Sequence, residues 1–436
     1  MDEEKMPIDL EENDNEVKKE RTYRRPKMNG YSRGIICGIS VTLILCILIG
    51  LTASVVLEKN GYTISKAYVT DRETTNDVLS TEAQNKMAEL INIMNTYYYD
   101  KLDSKKMLEG VYTGLVESLG DPYSTYFTAE KYKAYNESAT GKYYGIGAVL
   151  QQDVKTKQVK IIRAYPGTPA EKAGLEAGDI IIEVEGIDAS SRDLTELVTH
   201  IKGEKGTKVH MVIERAGKEK YLNFDIDREK IEVPTVEAQM LQDKTGYIAI
   251  SEFGEVTAQQ FETAVADLQK QGVKALIIDL RDNPGGMLTS VAQILDDILP
   301  KGILVYTEDK NGKREEYKST DKTQLKLPMT VLVNENSASA AEIFAGAIRD
   351  YEYGTLIGTT TFGKGIVQVL LPMDDGSAIK VTTAKYYTPK GDYIHGVGIA
   401  PDIKLEFQYQ GDKEKTYDIM KDNQVLKALE VLKKGK

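Results

Sequence analysis

Twenty-four consecutive residues, Gly34–Leu57 (GIICGISVTLILCILIGLTASVVL), carry no charged side chain. As a helix they reach roughly 36 Å, more than a bilayer's hydrocarbon core requires, so the pattern predicts a single transmembrane helix over 34–57. A cleaved signal peptide is the alternative; the apolar run is longer than such a core, and no clear small-x-small cleavage site follows it. Lys18, Lys19, Arg21, Arg24, Arg25, Lys27 and Arg33 all precede the run. The positive-inside rule then places 1–33 in the cytoplasm and everything after the helix outside the membrane. Met1–Gly30 is polar and charge-rich, with too few apolar positions to bury, and reads as disordered.

Past a polar linker, 58–81, the hydrophobic period changes twice. Over 82–136, Met87, Leu90, Ile91 and Met94, then Met107, Leu108, Val111 and Leu115, recur at helical spacing and predict two or three amphipathic helices. The string SLGDPYSTYF (Ser118–Phe127) interrupts them with Gly120 and Pro122, residues that stop helices and set turns. Over 137–228 short β-branched runs (VKIIRAY, DIIIEVEG) alternate with the turn clusters PGTPA and LEAGD and with one helix-like stretch, Asp193–Ile201. This is the pattern of a compact β-rich module. Over 229–410 strands and helices alternate: GYIAISEF, a helix over Thr257–Lys270, ALIIDLR, a helix over Ser290–Leu299, then ILVYT and TVLVN. Such alternation predicts an α/β layer with crossover connections. A last helix is expected within 411–436, over Thr416–Leu432. The fold class is therefore α+β and multidomain.

Composition narrows the function. Acidic residues outnumber basic ones, 67 to 56, for a net charge of −11, the wrong sign for gripping nucleic acid through its phosphates. Three histidines (His200, His210, His395) and two cysteines (Cys37, Cys46) leave a zinc site short of ligands. Both cysteines fall inside the apolar run, so the exported part cannot rely on disulfides. No metal or organic cofactor is expected.

The candidate chemistry sits in three strings. After the strand TVLVN, ENSASAAEIFAGAIRDY runs into a helix with Ser339 at or near its N-terminus, where unpaired N–H groups and the helix dipole stabilise developing negative charge. Ser337 or Ser339 is equally readable as an ordinary N-cap, with Glu342 completing a capping box, and taken alone that reading is the stronger. Lys364, in TTFGKGIVQ, lies between two glycines and apolar flanks. Burial without a carboxylate partner disfavours its ammonium form, and a neutral lysine can take a serine's proton as imidazole does elsewhere. His395, in the Gly-rich GDYIHGVGIAPD, is the competing base. GTTTFGKG also matches a phosphate-loop spacing but has Gly365 where Ser or Thr is needed, and a strand-like run follows it, so the nucleotide reading fails. Third, LRDNPGGM (Leu280–Met287) follows a buried-looking strand, and Gly285 or Gly286 could present a backbone N–H to an oxyanion; an ordinary turn is the alternative.

In this order, with the β-rich module before them, LRDNPGG, NSASAAE with AGAIRD, FGKGIVQ and GVGIAPD resemble the carboxy-terminal processing peptidases, the tail-specific serine proteases of family S41 with a PDZ domain. SLGDPYSTY followed by GIG is similar too. The resemblance implies a crotonase- or Clp-protease-like core over 229–410. It makes Ser339 the nucleophile, Lys364 the general base and Gln368 the residue that orients the lysine. If that segment is a strand, residues four apart share a face. The N–H groups of Gly285 (or Gly286) and Ala340 would form the oxyanion hole, and Asp350 matches an acidic position sometimes assigned to the charge relay. Ala341 stands where the family usually has Ser or Thr. The module over 137–228 would be the PDZ domain, with Gly145, Ile146 and Gly147 as the loop that grips a substrate's terminal carboxylate while an edge strand pairs with its tail. Homodimerisation through the helices of 82–136 and the C-terminal helix is implied as well. A catalytically silent tail-binding scaffold is the rival function.

Overall fold

The computed structural model describes residues 77–320, 324–412 and 417–435. The cytoplasmic tail, the apolar run 34–57 and most of the linker lie outside the described residues; among those described, no helix is long and apolar enough to cross a membrane. The chain divides after Leu102 into two units. Within the first, α1 (Thr81–Tyr97) starts where Ser80 Oγ accepts from Ala83 N at 3.2 Å.

The second unit opens with α2 (Ser104–Glu117), whose first N–H groups are capped by the Asp103 carboxylate. Gly120 and Pro122 then turn the chain into a short strand, β1 (Thr125–Phe127), and α3 (Ala129–Thr140), which ends on the left-handed Gly141. The amphipathic period of α2 is as expected. Leu108, Val111, Tyr112 and Leu115 are all exposed.

The β-rich module runs through β2 (Lys142–Gly145), β3 (Ala148–Gln152), β4 (Val159–Ala164), α4 (Pro169–Lys172), β5 (Ile180–Val184), β6 (Ile187–Asp188), α5 (Leu194–Ile201), β7 (Lys208–Glu214), β8 (Leu222–Asp227) and β9 (Glu229–Glu232). Its sheet has the order β3-β4-β5-β7-β8, and β9 returns to pair antiparallel with β2. The alternation of β-branched residues is what buries Val159, Ile161, Val209, Met211 and Ile213 on one face, where Leu197 and Ile201 of α5 close the core. One ion pair is built into it. Arg215 grips the Asp179 carboxylate with two bonds of 2.7 Å, and Asp179 is 1% exposed.

The α/β part follows as β10 (Val236–Met240), β11 (Thr245–Ile250), α6 (Thr257–Lys270), β12 (Ala275–Asp279), α7 (Leu288–Ile298), β13 (Gly302–Asp309), β14 (Arg314–Ser319), β15 (Met329–Val333), α8 (Ala340–Asp350), β16 (Gly354–Gly358), β17 (Ile366–Pro372), β18 (Ala378–Tyr387), β19 (Ile403–Lys404) and α9 (Asn423–Lys433). Six strands form one sheet in the order β10-β11-β12-β15-β16-β19, parallel except for β10 with β11. The strand period of two sorts side chains between its faces. Ile248, Ile278, Val331 and Leu356 pack with Phe261, Ile294 and Phe344 of α6, α7 and α8. Their neighbours Tyr247, Ile277, Leu332 and Ile357 point the other way, onto Val425, Ala428 and Leu429 of α9. A second sheet is built on β18, which pairs with β1, β13 and β17.

Helix α9 is fastened by a polar network as well as by its apolar face. Arg281 donates to Asp422 Oδ2 at 2.7 Å and to Gln424 Oε1 at 2.8 Å, and its Nε donates to Asp279 Oδ1 at 2.9 Å. Tyr247 donates to the same Asp279 at 2.6 Å. Asp422, the N-cap of α9, is fully buried.

Candidate active site

In open α/β sheets, loops at the carboxyl ends of parallel strands form the binding crevice. Here β12 runs out into Leu280–Met287, β15 into Asn334–Ser339 and then α8, and β16 into Thr359–Gly365. These are the three strings singled out from the sequence. They line a cleft of about 580 Å³ that contains Ser339, Ala340, Gly285, Gly286 and Lys364, with apolar lining from Met287, Leu288, Ile343 and Val367.

The two candidate serines separate cleanly. Ser337 is fully buried, its hydroxyl donating to Leu280 O at 2.7 Å and accepting from Asn334 N at 2.9 Å. It ties the β12 and β15 loops together. Ser339, the N-cap of α8, has φ 53° and ψ −114°, a left-handed conformation disfavoured for a side-chain-bearing residue and held only because its surroundings over-determine it. Its carbonyl accepts from the fully buried Tyr386 hydroxyl at 3.1 Å.

The candidate oxyanion donors differ in whether their N–H groups are paired. Gly285 N donates to Asn283 Oδ1 at 2.8 Å, so the Gly285 alternative is corrected: that N–H is already committed. Gly286 N and Ala340 N have no partner among the described residues, and both border the cleft. Gly285 is required for a different reason. A Cβ there would lie 2.7 Å from Ser339 Cβ and 2.8 Å from Ala340 N, so only glycine allows this loop to approach the helix start. Asn283, fully buried, also donates to Ile250 O at 2.8 Å, and its carbonyl accepts from Ala338 N at 2.9 Å.

Lys364 sits in the loop before β17, not on the strand. The Thr361–Lys364 stretch is clamped by Glu342 of α8, which is fully buried and accepts from Gly363 N at 2.7 Å, Lys364 N at 2.8 Å, Ser339 N at 2.9 Å and the Thr361 hydroxyl. One carboxylate thus binds the backbones of both Ser339 and Lys364. Burial, and then the neighbouring Lys380 ammonium, push Lys364 below the ordinary lysine range, against the pull of Asp121 and Glu342. Its Nζ makes no hydrogen bond or ion pair among the described residues and lies 4.9 Å from the centre of the Tyr123 ring.

Lys364 precedes β17, so no strand period relates it to Gln368, although both line the cleft; Asp350 is not brought to it. The Gln368 amide donates to Thr382 Oγ1 at 3.3 Å. Asp350 lies at the far end of α8, about 16 Å along the axis from Ser339 at 1.5 Å per residue. There it accepts from Arg349 and from Lys390 N at 2.9 Å, so it belongs to no relay at this site. His395 braces the lysine loop, its Nδ1 taking Gly365 N at 3.3 Å.

In the β-rich module, Gly145 ends β2 and Ile146 is buried. Gly147 has φ 80°, and a Cβ there would lie 2.5 Å from Thr168 Cβ. The loop's carbonyls turn inward, Ile146 O to Ala170 N and Gly147 O to Tyr165 N, both at 2.8 Å, while the Ile146 and Gly147 N–H groups have no partner among the described residues. Next to them β3 is the edge strand of its sheet, and the Gln152 amide joins its end to the start of α5. An open strand edge beside free N–H groups can take an extended peptide and its terminal carboxylate.

Glu342, Asn283 and Tyr123 were not singled out as site residues in the sequence. Glu342 carried a signal, its capping-box spacing from Ser339; Asn283 carried only that of a turn residue after a strand. Tyr123 carried only the likeness of SLGDPYSTY to the family, and its turn reaches the site through tertiary contacts such as Thr382 N to Ser124 Oγ, 258 residues apart.

Residues 244–405 match the profile of Peptidase family S41, 160–215 that of a PDZ domain, and 49–131 that of the activating protease CtpB N-terminal domain. A probable CtpA-like serine protease of Staphylococcus aureus is 37% identical over 356 residues, covering 80% of this chain and 71% of that protein. The carboxy-terminal processing protease CtpA of Bacillus subtilis is 39% identical over 326 residues, covering 73% and 69%. Among solved structures, the photosystem II D1 C-terminal processing protease is 28% identical with a TM-score of 0.43, covering 72% of this chain and 86% of that one.

Proposed function

The chain belongs to peptidase family S41, as a carboxy-terminal processing serine protease with a PDZ domain, and from that premise we propose a membrane-anchored endopeptidase that holds a protein's C-terminal tail in its PDZ groove and cuts by a Ser-Lys mechanism. The observation that supports the chemistry is the pairing, in one cleft, of a strained serine at a helix start with a lysine whose Nζ makes no ion pair among the described residues. Neutral Lys364 Nζ takes the Ser339 proton as Oγ attacks the scissile carbonyl carbon. The resulting oxyanion is held by the Gly286 and Ala340 N–H groups. The lysine then gives its proton to the leaving amine, leaving an acyl-serine. Water, deprotonated by the same lysine, releases the acid and restores the hydroxyl. The Ser339–Lys364 hydrogen bond forms as substrate fills the cleft, since catalytic contacts commonly tighten only in the bound complex.

The apolar run 34–57 with its preceding cations supports an anchor that leaves the catalytic part outside the cell membrane. The exposed stripe Leu108, Val111, Tyr112 and Leu115 on α2 supports homodimerisation. The deciding experiment takes the full chain in detergent with an unstructured protein as substrate. Ser339→Ala and Lys364→Ala should each abolish cutting, and Lys364→Arg should too, because guanidinium stays protonated. Normal turnover by any of the three overturns the mechanism. Tail binding without cleavage by the parent chain would leave only the scaffold.

A further inference from the structure

The backbone around Lys364 is pinned on every side: by Glu342, by His395 Nδ1, and by Gly363 O and Gly365 O, which accept from Gly396 N at 2.8 Å and Tyr386 N at 3.0 Å. The side chain is not. Four rotatable bonds separate Cα from Nζ, and a base that swings freely forfeits the rate gained from holding reacting groups in place. Gln368, which the family resemblance offers as the orienting residue, donates its NH2 to Thr382 Oγ1 at 3.3 Å and keeps its carbonyl oxygen for the cleft that it shares with Lys364.

What does lie against the lysine is the ring of Tyr123, with Nζ 4.9 Å from its centre. That ring is itself fixed. Asp121 caps the turn, accepting from Tyr123 N at 3.0 Å and from the Ser124 hydroxyl at 2.6 Å. Ser124 is buried and takes Thr382 N at 3.1 Å, and Thr125 enters β1 opposite Lys380 of β18. His395 meets the ring edge-on with centres 6.3 Å apart. The GDPYS string is thus bolted to β18, the partner of the strand that follows the catalytic loop.

We propose that Tyr123 is a further positioning residue of the catalytic lysine, beside Gln368: its ring is the rail along which the Lys364 side chain is held in the cleft with Ser339. An aromatic face suits this task. It restrains the stem by contact and tolerates Nζ both uncharged and, after proton transfer, as a cation over the π-system, without supplying a carboxylate that would hold the lysine permanently charged. The proposal rests on the Ser-Lys reading. The charged and titratable groups around Nζ are Asp121 on the turn, Glu342 on α8, Lys380 and Tyr386 on β18, and His395 on the loop beyond.

The test compares Tyr123→Phe, Tyr123→Leu and Tyr123→Ala in the full chain, reading kcat, KM, the acid limb of the pH profile and the melting temperature. Phe keeps the ring and should stay within about twofold of the parent. Leu and Ala should lower kcat at least about tenfold, a loss typical of misplacing a reacting group, with KM nearly unchanged. The limbs should move in opposite directions. Leu keeps the site dry but removes the face that favours the cation, shifting the limb to lower pH; Ala admits water and shifts it higher. Parent-like kcat in Leu and Ala overturns the proposal. So does a loss of activity that tracks a lowered melting temperature while the limb stays put, since a merely structural tyrosine would behave that way. Failure of the Ser-Lys reading is distinguishable, because it would appear as activity in Lys364→Ala whatever Tyr123 does.

Discussion

Replacing Glu342 by Gln tests whether one buried carboxylate keeps nucleophile and base in register. Its two oxygens accept four hydrogen bonds: Thr361 Oγ and Gly363 N on Oε1, Ser339 N and Lys364 N on Oε2. An amide supplies one acceptor oxygen. In the less costly orientation its NH2 replaces Oε1, where the Thr361 hydroxyl can rotate to accept but Gly363 N–H is stranded, at about 1–3 kcal/mol. The two remaining bonds weaken from charged to neutral acceptors, about 1 kcal/mol each, while removing a desolvated charge offsets part of the loss. The net is a destabilisation of about 2–3 kcal/mol, seen as a fall in melting temperature of about 5 °C or more. Activity carries the sharper signature. Glu342 pulls the Lys364 pKa up, so its neutralisation lowers that pKa further and leaves more lysine neutral at a given pH. Absolute kcat should fall as the loops loosen, yet the acid limb of kcat/KM should move to lower pH. A limb that stays in place or moves higher, measured on variant and parent with one peptide substrate, refutes either the clamp or the lysine as base.

Two further outcomes follow from buried polar groups. Ser337→Ala removes a hydroxyl that bridges Leu280 O and Asn334 N, and should cost about 1–3 kcal/mol in a thermal melt while leaving measurable turnover, in contrast to the dead Ser339→Ala. Asp179 is buried, which alone would raise its pKa, but Arg215 and Glu176 N hold it below the ordinary carboxylate range. With the folded value below the unfolded one, its stabilisation is complete above the unfolded-state pKa and disappears as pH falls through the folded one. Asp179→Asn should therefore lose about 3 kcal/mol near neutral pH and flatten the acid side of the PDZ domain's stability curve, read by melting temperature against pH.

The sequence made the α/β alternation legible because strands such as ALIID and TVLVN are buried on both faces and helices such as Thr257–Lys270 keep a strict apolar period. The reactive strings were legible because each follows a strand end and carries glycines where close approach is needed. Other features had no local trace. Which serine is buried depends on Leu280 O, which N–H is free depends on the Asn283 side chain, and which group lies against Lys364 depends on a turn far upstream. The strand period linking Lys364 to Gln368 does not apply because the strand begins only at Ile366, a boundary that an apolar run after two glycines does not mark. Asp350 followed a family position, whereas helix length alone separates it from Ser339.

The fastening of α9 also bears on timing. The loop that bears Gly286 begins beside Arg281, whose guanidinium finds Asp422 and Gln424 only after 141 and 143 further residues have been added. A nascent chain lacking them would hold that guanidinium against Asp279 alone, with the sheet's Ile277 and Leu332 uncovered. The strand end that leads into the Gly286 loop is therefore braced only once α9 docks.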